Sequence, residues 1–204
     1  LSSYLRVPPA ALRFDECPTG KPRLAGPAAE KLSFNLSHTQ GLVVCGVARS
    51  ELGVDVEYAQ RPAPLDVAGH YFSQREQAAL RAHGPEASRQ FYKYWTTKEA
   101  CLKGLGVGIA GLRNVECEVQ GARLCLQLTG RAPPAQSWSV VTWRVTRAHQ
   151  LAVALSGCSR LALRFRGHGL AEPKLRSPAA APRALTAFTD DAVPATALLS
   201  THSA

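Results

Sequence analysis

"LGVDVEY", residues 52–58, decides how the rest of this chain is read. Val54 and Val56 alternate with Asp55 and Glu57, the period-two pattern of a β-strand. Side chains two apart leave a strand on the same face. Asp55 and Glu57 therefore stand side by side, about 7 Å apart at Cα from the ordinary strand rise. Two such charges repel unless their face is solvated or a cation lies between them. Taken alone, the stretch reads as a half-buried strand with a wet acidic face.

The flanking segments build an alternating pattern of strands and helices. Upstream, "KLSFNLSH" and "GLVVCGVA" read as strands joined by a turn at "TQG", after a Pro/Gly-rich connector over residues 16–30. Downstream, "AQRPAPLD" breaks the pattern with two prolines. "FSQREQAALRAH" then opens a helix with Ser73 at the N-cap and Glu76 three residues on, a capping box. A second helix is expected over residues 85–103, with Phe91, Trp95 and Leu102 on one stripe and Glu99 beside it. "GLGVGIAG" stops it. "NVECEVQGARLCLQL" alternates like a hairpin about Gly121, and "SWSVVTWRV" and "QLAVALSG" supply two more strands. From about residue 167 the composition turns to Ala, Pro, Ser and Thr without a period, so residues 167–204 are expected to be a disordered tail.

Composition narrows the function classes. With 204 residues, 46% of them hydrophobic, the chain can bury one sizeable core. No apolar run approaches the ~20 residues of a membrane span, and the start has no basic region followed by an apolar stretch, so neither a membrane anchor nor a signal peptide is expected. The chain holds no Met and opens on Leu, and is expected to be a piece of a longer product. Its six cysteines, Cys17, Cys45, Cys101, Cys117, Cys125 and Cys158, form no C-x-x-C pair, which points to reduced thiols in the cytoplasm. The 24 basic against 15 acidic residues leave +9, favouring phosphate-rich ligands or acidic proteins. Nucleic acid is not expected as a partner, because no basic run is interleaved with stacking aromatics.

Two further clusters carry polar chemistry. Glu99 and Lys103, four apart within "KEACLKGLGVGI", share a helix face; the ordinary reading is a surface ion pair. That helix runs into a Gly-rich turn whose backbone amides can approach a phosphate closely. In "FNLSHTQ", Asn35, Ser37 and His38 meet at a strand end, but adjacent Ser37 and His38 point to opposite faces, so His38 does not activate Ser37. A cysteine hydrolase built on Cys45 or Cys101 with His38 is disfavoured, since both thiols sit in apolar runs.

Taken in order, "GKPRL" with "FNLSHT", then "GVDVE", then "FSQRE" and "WTTKEACLKGLGVGI" resemble the Sfp-type 4′-phosphopantetheinyl transferases, over residues 20–109 by motif and to about residue 157 by strand pattern. The resemblance implies an α+β fold of two pseudo-symmetric halves, antiparallel sheets packed with helices, with coenzyme A in the cleft between them. Residues 1–50 would be the C-terminal part of a shortened first half, and residues 51–166 the second half with the metal and catalytic motifs. It implies transfer of the phosphopantetheine arm of coenzyme A to a serine of an acyl or peptidyl carrier protein, with release of adenosine 3′,5′-bisphosphate. By motif match, Asp55, Glu57 and Glu99 would hold Mg²⁺ and Glu99 would act as the base. Lys103, with Lys98 nearby, would meet the pyrophosphate, Ser37 and His38 the 3′-phosphate, and Lys21 and Pro22 the adenine nucleotide. A monomer is expected from the pseudo-dimeric fold. Only 20 residues precede Lys21, where these enzymes have a longer first half, so the alternative is a truncated, inactive coenzyme A- or carrier-binding module.

Overall fold

A computed structural model of the chain describes residues 1–120, 123–128, 138–157, 163–168 and 195–200. The elements in order are helix α1 (Ser2–Leu5), strands β1 (Phe14–Glu16), β2 (Pro22–Leu24), β3 (Ser33–Thr39), β4 (Leu42–Ala48) and β5 (Leu52–Tyr58), and helices α2 (Leu65–Tyr71), α3 (Gln74–Ala82) and α4 (Ala87–Leu105). Strands β6 (Val115–Gln120), β7 (Arg123–Leu128), β8 (Trp138–Arg144), β9 (His149–Ser156), β10 (Leu163–His168) and β11 (Ala195–Ser200) complete the chain. The architecture is α+β, with largely antiparallel sheets packed against helices.

Local chemistry accounts for the elements that position the site. β3 and β4 form an antiparallel hairpin with Thr39 opposite Leu42, turned by Gly41 at φ 75°. The Ser73 hydroxyl accepts the Glu76 N–H at 3.2 Å and a Glu76 carboxylate oxygen accepts the Ser73 N–H at 2.7 Å, so the capping box closes at the head of α3. α4 starts after a 3₁₀ turn at Gly84–Glu86 and ends at Gly106, whose φ of 67° lets its N–H bond back to the Leu102 and Lys103 carbonyls. The sequence reading misses α2, which begins just after Pro64, and it takes residues 16–30 as connector. Here β1 and β2 pair as a short hairpin with Glu16 opposite Pro22, turned by Gly20 at φ 82°.

β5, β9 and β8 form one sheet in that order, both pairings antiparallel, and β6 pairs antiparallel with β7; the residues about Gly121 lie outside those described. A second sheet has the order β10-β11-β4-β3, with β10 and β11 parallel. Leu52, Val54, Val56, Leu151, Val153 and Leu155 meet Leu42, Val44 and Ala48 in the core between the two sheets. One core therefore straddles the boundary expected at residues 50/51. Most of the expected tail lies outside the described residues; the exceptions are Gly167 and His168, which end β10, and Ala195–Ser200, whose backbone pairs with β10 and β4, so these residues are strand and not the disordered tail expected. No helix among the described residues is long and apolar enough to cross a membrane.

α4 covers the other face of the β5-β9-β8 sheet. Its Ala100 packs on Ala152 and Ala154, and an added Cβ at Gly53 would overlap the Ala100 carbonyl and the Gly104 amide. Small residues on both surfaces bring the helix backbone almost onto β5. This corrects the wet acidic face expected from residues 52–58: Gly53, Asp55 and Glu57 look toward α4, and Asp55 is only 4% exposed.

Candidate active site

β5 is an edge strand, so every second backbone N–H points away from β9 and needs an acceptor. Side chains of β3 supply them. Asn35 Oδ1 accepts from Val54 N–H at 2.8 Å, Ser37 Oγ from Val56 N–H at 3.1 Å, and Thr39 Oγ1 from Tyr58 N–H at 3.1 Å. The alternating polar residues of "NLSHT" thus fix β5 in register. That ladder is missed by the sequence reading, though its period-two signal lies in the open at residues 35, 37 and 39.

The carboxylates meet α4 on the covered face of β5. Lys103 Nζ donates to Asp55 Oδ1 at 2.6 Å and to Ser37 Oγ at 3.1 Å, and the Ser37 hydroxyl donates to Asp55 Oδ1 at 3.0 Å. Asp55 Oδ2 is buried and has no hydrogen-bond partner among the described residues. Burial holds the Asp55 carboxyl above its ordinary pKa, against the opposing pull of Lys103. Glu57, two residues on, is half-buried; Arg61 Nη2 donates to its Oε2 at 3.0 Å and the Trp95 side chain is a further hydrogen-bond partner. Its carboxyl too is raised, by burial first and then by the charge of Asp55. Glu99, one helical turn before Lys103, is pushed up to about 7 by burial and then by the Asp55 charge, Lys103 pulling the other way and Glu57 adding to the rise. Three acidic groups and one lysine are therefore electrostatically coupled across the β5–α4 interface.

This arrangement fits a hard divalent cation. Asp55 offers an orphaned buried oxygen, and Glu57 and Glu99 repel both it and each other, a repulsion that a cation relieves. Among the described residues no three His, Cys, Asp or Glu side chains form a ready ligand group. An ion here would complete its shell from water and substrate oxygens, as Mg²⁺ commonly does.

The remaining expected site residues divide. A cleft of ≈ 220 Å³ opens between the Lys21–Pro22 turn and the Lys103–Val107 end of α4, with Leu36 on its wall. Lys21 is held within this wall, donating to Glu51 at 3.1 Å and to the Leu52 and Gly104 carbonyls at 3.3 and 3.1 Å. His38 is exposed and shares its strand face with Leu36, whereas Ser37 is buried against β5.

Lys98 is not part of the cluster. Residues five apart on a helix are turned roughly 140° from each other, and Lys98 points into the protein, 1% exposed. It pairs with Glu76 Oε2 at 2.7 Å and lies 4.9 Å from the centroid of the Phe72 ring. Glu76 also accepts the Cys117 N–H at 2.7 Å, so the pair ties α3, α4 and β6 together. Burial raises the Cys45 thiol and pushes Cys101 up to about 12, which disfavours the thiolate at both.

An α+β fold thus gathers three carboxylates and a lysine beside an open cleft. Residues 51–155, half of the chain, match the 4′-phosphopantetheinyl transferase superfamily, and the chain belongs to that family. It is 42% identical over 120 residues to 4′-phosphopantetheinyl transferase HetI of Nostoc sp. (strain PCC 7120), covering 57% of this chain and 51% of that protein. It is 30% identical over 111 residues to 4′-phosphopantetheinyl transferase Sfp of Bacillus subtilis (strain 168), covering 54% and 48%. The chain thus spans about half the length of the curated relatives it matches. Among solved structures it is similar to Thermotoga maritima holo-[acyl-carrier-protein] synthase, with TM-score 0.47 and 18% identity over 54% of this chain and 65% of that one.

Proposed function

We propose that this chain transfers the 4′-phosphopantetheine arm of coenzyme A to a serine of an acyl or peptidyl carrier protein, releasing adenosine 3′,5′-bisphosphate. The observation that carries the reading is the meeting of Asp55, Glu57, Glu99 and Lys103 within the family-matched segment. Asp55, Glu57 and Glu99, which do not form a ready ligand group before the ion binds, would close on Mg²⁺, which supplies charge neutralisation for the pyrophosphate when bound. Lys103 would bind a pyrophosphate oxygen as a point charge; its side chain keeps 30% exposure and lines the cleft. Glu99, whose carboxyl burial and the Asp55 charge raise to about 7 before any cation is bound, would accept the serine proton. In the transfer, the carrier serine oxygen bonds to the β-phosphorus while the bond from that phosphorus to the bridging oxygen breaks. The serine proton passes to Glu99 and the electron pair leaves with the nucleotide phosphate. Lys21 and Pro22 wall the nucleotide side of the cleft, and His38 stands on the strand face that continues from Leu36.

A cytoplasmic site of action and a monomeric active unit go with this reading. The test is mass spectrometry of an apo carrier protein incubated with the chain, coenzyme A and Mg²⁺. Gain of one phosphopantetheinyl group on the serine, lost in Glu99→Gln, is the expected result. An unmodified carrier beside a relative that modifies it fully would overturn the proposal.

A further inference from the structure

The hydroxyl of Ser37 has a complete set of partners. A serine hydroxyl has one proton to donate and two lone pairs to accept with. The proton goes to Asp55 Oδ1 at 3.0 Å, and the lone pairs take Val56 N–H at 3.1 Å and Lys103 Nζ at 3.1 Å. Ser37 is 5% exposed. A phosphate oxygen needs a donor, and the single donor of this side chain is spent on a carboxylate. Its neighbours on β3, Leu36 and His38, take the opposite strand face, and Leu36 borders the cleft.

We infer that Ser37 is a positioning residue for Asp55 rather than a contact to the 3′-phosphate of coenzyme A; the inference rests on the transferase reading of the site. The bond to Oδ1 fixes which carboxylate oxygen is engaged within the protein and leaves Oδ2 without a partner among the described residues. The same hydroxyl locks the β5 backbone immediately after Asp55, so one side chain sets both the strand and the carboxylate rotamer. Hydrogen-bonding partners that orient a metal-binding group typically change metal affinity by about 10–100-fold when removed.

The experiment compares the wild-type chain with Ser37→Ala, Ser37→Thr and Thr39→Val. Thr39→Val removes the equivalent acceptor from Tyr58 N–H without touching Asp55, and so controls for damage to the ladder. Thermal melting is followed against Mg²⁺ alone, and affinity is measured for coenzyme A and for 3′-dephospho-coenzyme A. Ser37→Ala should raise the Mg²⁺ midpoint about tenfold or more, while the affinity ratio of the two nucleotides stays at the wild-type value. Ser37→Thr, which keeps the hydroxyl, should restore the Mg²⁺ midpoint, and Thr39→Val should lower the melting temperature without moving it. A Ser37→Ala chain with an unchanged Mg²⁺ midpoint, or with a collapsed nucleotide ratio, overturns the inference while leaving the transferase reading standing. A wild-type chain that responds to neither Mg²⁺ nor coenzyme A overturns both.

Discussion

Replacing Glu99 by Gln should change how stability depends on pH, with a sign and size set by the site. Burial first, and then the charge of Asp55, raise the Glu99 carboxyl from 4.5 to about 7. Between those values the folded chain keeps a proton that the unfolded chain has released. Stability is therefore greatest below the lower value, falls as pH rises through the window and levels off above the upper one. At about 1.4 kcal/mol for each pH unit, the full window would amount to roughly 3 kcal/mol. Solvent reaches part of the side chain and screens its charge, which reduces the expected effect to ~1–2 kcal/mol. Gln keeps the shape of the side chain and removes the titration. Urea denaturation in the presence of a chelator, at about pH 5 and about pH 8, should show the wild type losing ~1–2 kcal/mol more than Glu99→Gln across that interval. Parallel losses in the two proteins would refute the reasoning, because Glu99 would then titrate alike folded and unfolded.

Gly53→Ala places a methyl group against the backbone of α4 at Ala100 and Gly104, which cannot swing aside, and should cost about 3 kcal/mol or more in urea denaturation. Gly104→Ala meets chiefly the Trp138 ring, at 2.6 Å, with the Gly53 backbone nitrogen farther off at 3.2 Å, and should cost less; a reversed order would mean that α4 is not pressed onto β5 as described. Glu76→Ala leaves Lys98 buried without its partner and strips the Cys117 N–H of its acceptor, so a loss of about 3–5 kcal/mol is expected in the same assay. A near-neutral result would place Lys98 in solvent.

The strand at residues 52–58, the capping box at Ser73 and the helix bearing Glu99 are legible in the sequence because each rests on local periodicity or local hydrogen bonding. What covers the acidic face is not local. The alternation of Asp55 and Glu57 gives their shared direction, but Gly53, Ala100, Gly104, Ala152 and Ala154 decide that a helix backbone lies there instead of water. Small residues leave no period of their own, and their meaning appears only once the surfaces are paired. Lys98 illustrates the opposite error. Its place in the "KEACLK" motif suggests a phosphate contact, yet helical rotation sends it to Glu76, a partner 22 positions away. Ser37 was visible as a polar residue at the right strand, while its engagement with Asp55 depends on β3 lying beside β5, a contact that joins two separate sheets.

Under the proposed transferase function, Asp55, Glu57, Glu99 and Lys103 form one site in which a cation and the coenzyme A pyrophosphate support each other's binding. Thermal melting of the chain with Mg²⁺ alone, coenzyme A alone and both together tests it most directly. A ligand at one hundred times its dissociation constant contributes about 2.7 kcal/mol, or a rise of roughly 5–10 °C for a chain of this size. The combined shift should exceed the sum of the two separate shifts, and Asp55→Asn should abolish the excess. A combined shift equal to that sum, or an excess that survives in Asp55→Asn, would contradict the account.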